Sequence, residues 1–172
     1  MADCTNALKE WTGKARATVI YDSNVDEFTA ERLFDEVKGK PNIALVGTTT
    51  DGDVFGGFFS VAATEQDEDF DDPDMFIFSF ESHGRCKTPQ RFVLKKELKD
   101  NAFVSFDETD SDGFVYFAVF AHSGLLLGNE KSKSYCFHIS DAFDGLEDTT
   151  LTGTCGFCGY HHCARLVAVQ LE

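Results

Sequence analysis

Two apolar spacings divide the chain. Before about residue 40 they repeat at helical intervals, and beyond it they alternate or gather in short runs. In "TNALKEWTG", residues 5–13, Leu8 and Trp11 lie three apart and share a helix face. Thr5 stands where an N-cap would accept from the free N–H groups of the first turn. "ATVIYD", 17–22, has strand character. "TAERLFDEVKGK", 29–40, predicts a second helix: Thr29 caps it, Ala30, Leu33, Phe34 and Val37 form its stripe, and Gly39 ends it.

From residue 42 the pattern is that of strands. "NIALVGTTTDGDVFGGFFSVAA", 42–63, places two apolar runs around Asp51-Gly52, a pair that supplies the positive φ of a tight hairpin. Further runs are "MFIFSFES" (75–82), "QRFVLKK" (90–96), "AFVSFD" (102–107), "FVYFAVFA" (114–121), "GLLLG" (124–128), "SYCFHI" (134–139) and "HCARLVAVQL" (162–171). Phe76, Phe78 and Phe80 fall on one face at period two. Gly56-Gly57 inside an apolar strand marks a bulge or a close approach of two backbones. Many short strands with helices only at the front predict a mainly β, α+β sandwich.

Composition narrows the reading. A chain of 172 residues is expected to form one domain. At this length folding buries roughly 70% of the unfolded surface, so a core needs no metal or disulfide staple. Phenylalanine occurs 18 times, which suits sheet faces. The formal charge of −15 disfavours general nucleic-acid or anionic-lipid binding and favours basic partners. The opening "MADCTNALKEWTGK" lacks the apolar core of a secretory leader, and no run nears the ~20 apolar residues of a membrane helix. The six cysteines are therefore expected to be reduced, in a cytoplasmic or nuclear compartment. The chain opens on Met1 and is expected to be entire.

Four stretches hold residue types that carry chemistry. In "CGFCGYHHC", 155–163, Cys155, Cys158, His161 and Cys163 are a zinc donor set or the basis of a thiol sensor. The plainer reading of the same stretch is a glycine-loosened loop entering the last strand. The acidic stretch "TEQDEDFDDPD", 64–74, begins like a calcium loop at Asp67, Asp69 and Asp71, but Asp72 stands where glycine is needed and Phe78 where glutamate is needed. "ETDSDGFVYFAV", from Glu108, comes nearer with Asp110, Asp112 and Gly113, yet its twelfth position is Val119. These acids read first as a solvated loop. The basic stretch is "RCKTPQRFVLKKELK", 85–99. Its Arg85, Lys87, Arg91, Lys95, Lys96 and Lys99 are either the lysine-guarded edge of a sheet or a docking patch for an acidic surface. For a hydrolase only adjacent His122 and Ser123 offer themselves, without a nucleophile elbow. His83 and His138 are isolated.

Two blocks carry a family resemblance. "YDSNVDEFTAERLF" followed by "PNIALVGTTTDGDVFGGFFSVA" resembles the opening of a TLDc domain, with Val54-Phe55-Gly56-Gly57-Phe58-Phe59-Ser60 its most specific piece. "DDPDMFIFSFES", "SGLLLGNEKSKSYCF" and "RLVAVQLE" resemble later segments in the same order. The likeness runs over about 17–172, leaving 1–16 as a helical lead-in. It departs at Ala168, where the family usually has glutamate, and in "SDGFVYFAVFAHSG", which replaces a glycine-rich segment. The resemblance implies two antiparallel sheets packed as a sandwich with short flanking helices. It also implies a non-enzymatic role in oxidative or cellular stress, and binding to the peripheral sector of a vacuolar-type proton ATPase. Neither catalytic residues nor a cofactor are implied. A zinc or thiol sensor, a nucleic-acid-binding regulator and an uncharacterised hydrolase remain as alternatives.

Overall fold

A computed structural model describes residues 2–66, 70–101, 103–105, 118–120, 125–127, 135–136, 138–154 and 161–172. The first helix, α1, spans Ala2–Thr12. It begins before Thr5, so that threonine lies inside the helix and is not its N-cap. Strand β1 is Ala17–Asp22 and helix α2 is Ala30–Val37. The Thr29 side chain accepts from the Arg32 N–H at 3.2 Å, and the stripe Ala30, Leu33, Phe34 and Val37 is buried. A hairpin of β2 (Ile43–Thr49) and β3 (Val54–Phe59) follows, with Gly52 at φ 96° in its turn.

The remaining strands are β4 (Phe70–Asp71), β5 (Phe76–Glu81), β6 (Gln90–Val93), β7 (Phe103–Ser105), β8 (Ala118–Phe120), β9 (Leu125–Leu127), β10 (Tyr135–Cys136) and β11 (Cys163–Leu171). Not every helix is at the front. A 3-10 turn occupies Lys96–Asn101, and α3 (Ile139–Ala142) follows β10. The apolar Ile139 is buried in this short turn rather than in an extended strand.

All strand pairs among the described residues are antiparallel. The larger sheet has the order β1-β11-β2-β3-β5-β6, and the shorter one β10-β9-β8-β7-β4. Period-two alternation gives the larger sheet two buried faces. Inward residues Ile43, Leu45, Phe55, Phe59, Ile77, Phe92, Leu166 and Ala168 join α2, Leu127 and Cys136 in one core. The sheets meet closely: a Cβ placed on Gly47 would lie 3.3 Å from Leu127 Cδ2.

Outward residues Ala44, Phe58, Phe76, Phe78, Val167, Val169 and Leu171 form a second core beneath Leu8 of α1. Trp11 stacks on Phe80 at 5.6 Å between ring centroids and meets Phe76 edge-on at 6.1 Å. Phe78 lies 4.8 Å from Phe80, so the three period-two phenylalanines share a face, with Trp11 as their cover. Such ring pairs contribute about 0.5–1.5 kcal/mol each beyond buried area.

Gly56 makes this layer fit. A Cβ there would lie 1.8 Å from Leu45 O and 2.9 Å from Phe78 Cζ. The neighbouring backbone and the Phe78 ring occupy the space a side chain would need. Gly56→Ala should cost about 3 kcal/mol, the upper end for overpacking, read as a lowered urea midpoint. A midpoint unchanged from the parent protein would contradict this packing.

Candidate functional site

The hairpin turn presents an aspartate that polarity alone would place in solvent. Asp53 N–H donates to Thr49 Oγ1 at 3.0 Å, and Thr49 N–H donates to Asp53 O at 2.9 Å. That local closure turns the Asp53 side chain inward, where the residue is only 3% exposed. A buried carboxylate needs compensation. Asp53 Oδ1 accepts from Arg85 Nη2 at 2.6 Å and lies 2.8 Å from His83 Nδ1. Arg85 also donates to the carbonyls of Thr150 at 3.1 Å and Leu151 at 3.0 Å. One guanidinium thus fastens the hairpin turn and the 149–153 loop to the loop that follows β5.

His83 has left-handed backbone, φ 51°, held where its N–H donates to Glu81 Oε1 at 2.8 Å. Asp53 orients the imidazole, as an acid orients a catalytic histidine. Among the described residues, no hydroxyl or thiol is bonded to His83.

The cysteine-rich stretch reaches the same end of the sheet. Thr50 N–H donates to His162 O at 3.0 Å, which ties the hairpin turn to the entrance of β11. Cys155 and Cys158 lie outside the described residues. His161 and Cys163 are buried and alternate with exposed His162, so they share the inward face. His161 packs edge-on to Phe55 at 5.1 Å, and its ring nitrogens have no hydrogen-bond partner among the described residues. Burial lowers its pKa to about 4, against the pull of nearby Asp53, so the imidazole is neutral. Cys163 Sγ donates to Arg165 O at 3.1 Å, and burial pushes the thiol up to about 11. A thiol so buried is a poor nucleophile near neutral pH. Among the described residues no three metal-ligating side chains gather. Cys4, Cys86 and Cys163 are free thiols.

The acidic stretch is less solvated than its charge implies. Asp72 is fully buried, and its carboxylate accepts from Ser60 N–H and from Ser60 Oγ at 2.9 Å, Val61 N–H at 3.3 Å and Asp74 N–H at 3.1 Å. It is a loop clamp rather than a surface charge. Asp67 and Asp69 lie outside the described residues, as do Glu108, Asp110, Asp112 and Gly113.

The basic stretch divides by role. Arg85 is held by Asp53. Arg91 donates to Trp11 O at 2.6 Å, with its guanidinium 5.6 Å from the Phe76 centroid. Lys95 Nζ donates to Ser140 O at 2.8 Å. Lys87 and Lys96 are exposed and form no ion pair among the described residues. Lys99 lies in the 3-10 turn. The strand between them, β6, is the edge of the larger sheet. Trp11 of α1 and Lys14, just beyond it, line the same cavity as Arg91, although they are distant from it in the chain.

The sequence model of the TLDc domain family matches residues 4–161. No curated protein matches the chain closely enough to count as a relative. No helix among the described residues is long and apolar enough to cross a membrane.

The buried imidazole sets a pH dependence. His161 titrates near 6.5 when unfolded and near 4 when folded, so below pH 6.5 the unfolded state binds more protons. Stability should fall between pH 6.5 and pH 4 by on the order of 3 kcal/mol from this residue. Urea midpoints at pH 7 and 4.5 should therefore differ less in His161→Gln than in the parent. Equal differences would contradict the assignment.

Proposed function

Because the chain belongs to the TLDc domain family, we propose that it is a non-enzymatic interaction and regulatory domain of the oxidative or cellular stress response, docking onto a peripheral subunit of a vacuolar-type proton ATPase. The family assignment is consistent with a stress-related domain and compatible with a protein-interaction role. The finer reading, including a cytoplasmic location with the nucleus as a second compartment, is ours. We take 17–172 as the domain proper and 1–16 as its lead-in.

One observation carries the choice of surface. Lys87 and Lys96 stand exposed on either side of the edge strand β6 in a chain of net charge −15. Unshared cations on an acidic protein steer an acidic partner to one place. The candidate dyad of Asp53 and His83, by contrast, is bound up in holding loops together. Arg85, Arg91 and Lys95 are held in the same stretch by their bonds to Asp53, Trp11 and Ser140.

The test is capture of the tagged protein from its own cells, with and without peroxide, read by mass spectrometry. Peripheral proton-ATPase subunits should be recovered, and Lys87→Glu with Lys96→Glu should reduce their yield several-fold. A capture without such subunits, or a yield indifferent to the charge reversals, would refute the reading.

A further inference from the structure

A cavity of about 360 Å³ opens on the outer face, where the end of α1 meets the edge of the larger sheet. Trp11, Phe58 and Phe76 line it with aromatic surface, while Lys14, Arg91 and Asp74 supply its charges. Val93, also in its wall, is 45% exposed, one of few large apolar side chains so open among the described residues. The cavity therefore combines uncovered apolar surface with an excess of one positive charge.

Arg91 is preset for an anion. One N–H is spent on Trp11 O, and the Phe76 face fixes the guanidinium plane. A guanidinium carries five N–H donors, so a forked pair remains for a carboxylate. Lys14 adds a second cation and has no side-chain bond among the described residues. The backbone offers a further recognition element. On the outer edge of β6, Val93 O accepts from Asp144 N–H at 2.9 Å, and Lys95 N–H donates to Ala142 O at 2.9 Å. Strand alternation turns the Arg91 N–H and C=O to that same edge, and they have no partner among the described residues. An extended segment laid along this edge would take those main-chain bonds.

We propose that the cavity is a docking site for an extended segment of a protein partner in which an aromatic residue adjoins an aspartate or glutamate. The aromatic side chain packs on Trp11 and Val93 at the mouth of the cavity, and the carboxylate pairs with Arg91 and Lys14. This rests on the reading of the chain as a docking domain and adds the sequence character of what it docks.

Trp11 is the one tryptophan of the chain, so its emission reports occupancy directly. The probe is the peptide acetyl-Gly-Phe-Asp-Gly-amide, compared with its Asn counterpart and with N-acetylphenylalanine. The Asp peptide should give a saturable change in Trp11 emission, with the Asn peptide weaker by about fivefold, the scale of one charge-assisted contact. Arg91→Gln should erase that difference. Lys14→Glu, at a side chain that fastens nothing described, should weaken the Asp peptide several-fold even if loss of Arg91 unsettles α1. No saturable change, equal binding of the Asp and Asn peptides, or equal binding of N-acetylphenylalanine would overturn the proposal. The readout needs no ATPase: peptide failure with subunits still captured removes the cavity alone, and capture failure leaves peptide binding readable.

Discussion

The larger sheet depends on its last strand. β11 lies between β1 and β2 and pairs with both, so neither has its full ladder until residues 163–171 arrive. The two ends of the chain close on each other around it. Ala15 and Arg16 N–H groups donate to Glu172 O at 2.7 and 2.8 Å, and Arg165 grips Asp22 through Nε at 2.9 Å and Nη2 at 2.5 Å. The bond to Arg165 holds the Asp22 carboxyl below its ordinary range. Contacts of such long sequence separation slow folding, because loop-closure entropy is lost before they form.

That closure positions both ends of the larger sheet. At one end, entry into β11 brings His161 and Cys163 into the core and fastens His162 to the hairpin turn beside Asp53. The charges there face one another: Asp53 is spent on Arg85 and His83, and Arg85 is spent again on two carbonyls. At the other end, Val167, Val169 and Leu171 complete the outer apolar layer on which α1 rests. Trp11 is held over that layer, and Arg91 reaches its carbonyl from the edge strand. The arrangement leaves cations and apolar surface open at the rim of α1 and β6, while the charges of Asp53 and Arg85 at the hairpin end are taken up by internal bonds. A surface that is unsatisfied and pre-ordered suits binding; a saturated one suits stability.

Much of this was legible in the residues. Period two in Phe76, Phe78 and Phe80 named the face that Trp11 covers, and Gly56 inside an apolar strand announced a close backbone approach. Thr29 and its stripe defined α2. The failures have a common cause. Thr5 looked like a cap because local hydrogen-bonding capacity does not tell where a helix begins. Asp72 looked like one acid among many, yet four donors from segments near and far bury it. His83 looked isolated because its partner, Asp53, belongs to another hairpin. Arg91 looked like one cation of a strip, but α1, far away in the chain, gave it a carbonyl to hold, and Lys14 beyond α1 lines the same cavity. Local pattern reports faces and turns; it does not report which distant segment will supply a charge or a lid.

The central claim is that the rim of α1 and β6 is the working surface and that the hairpin end is structural. Hydrogen exchange of the protein, alone and with its captured partner, tests this most directly. Added protection confined to residues 11–14 and 87–96 is the predicted result. Protection centred on Asp53, His83 and the entrance to β11, with the rim unchanged, would contradict it.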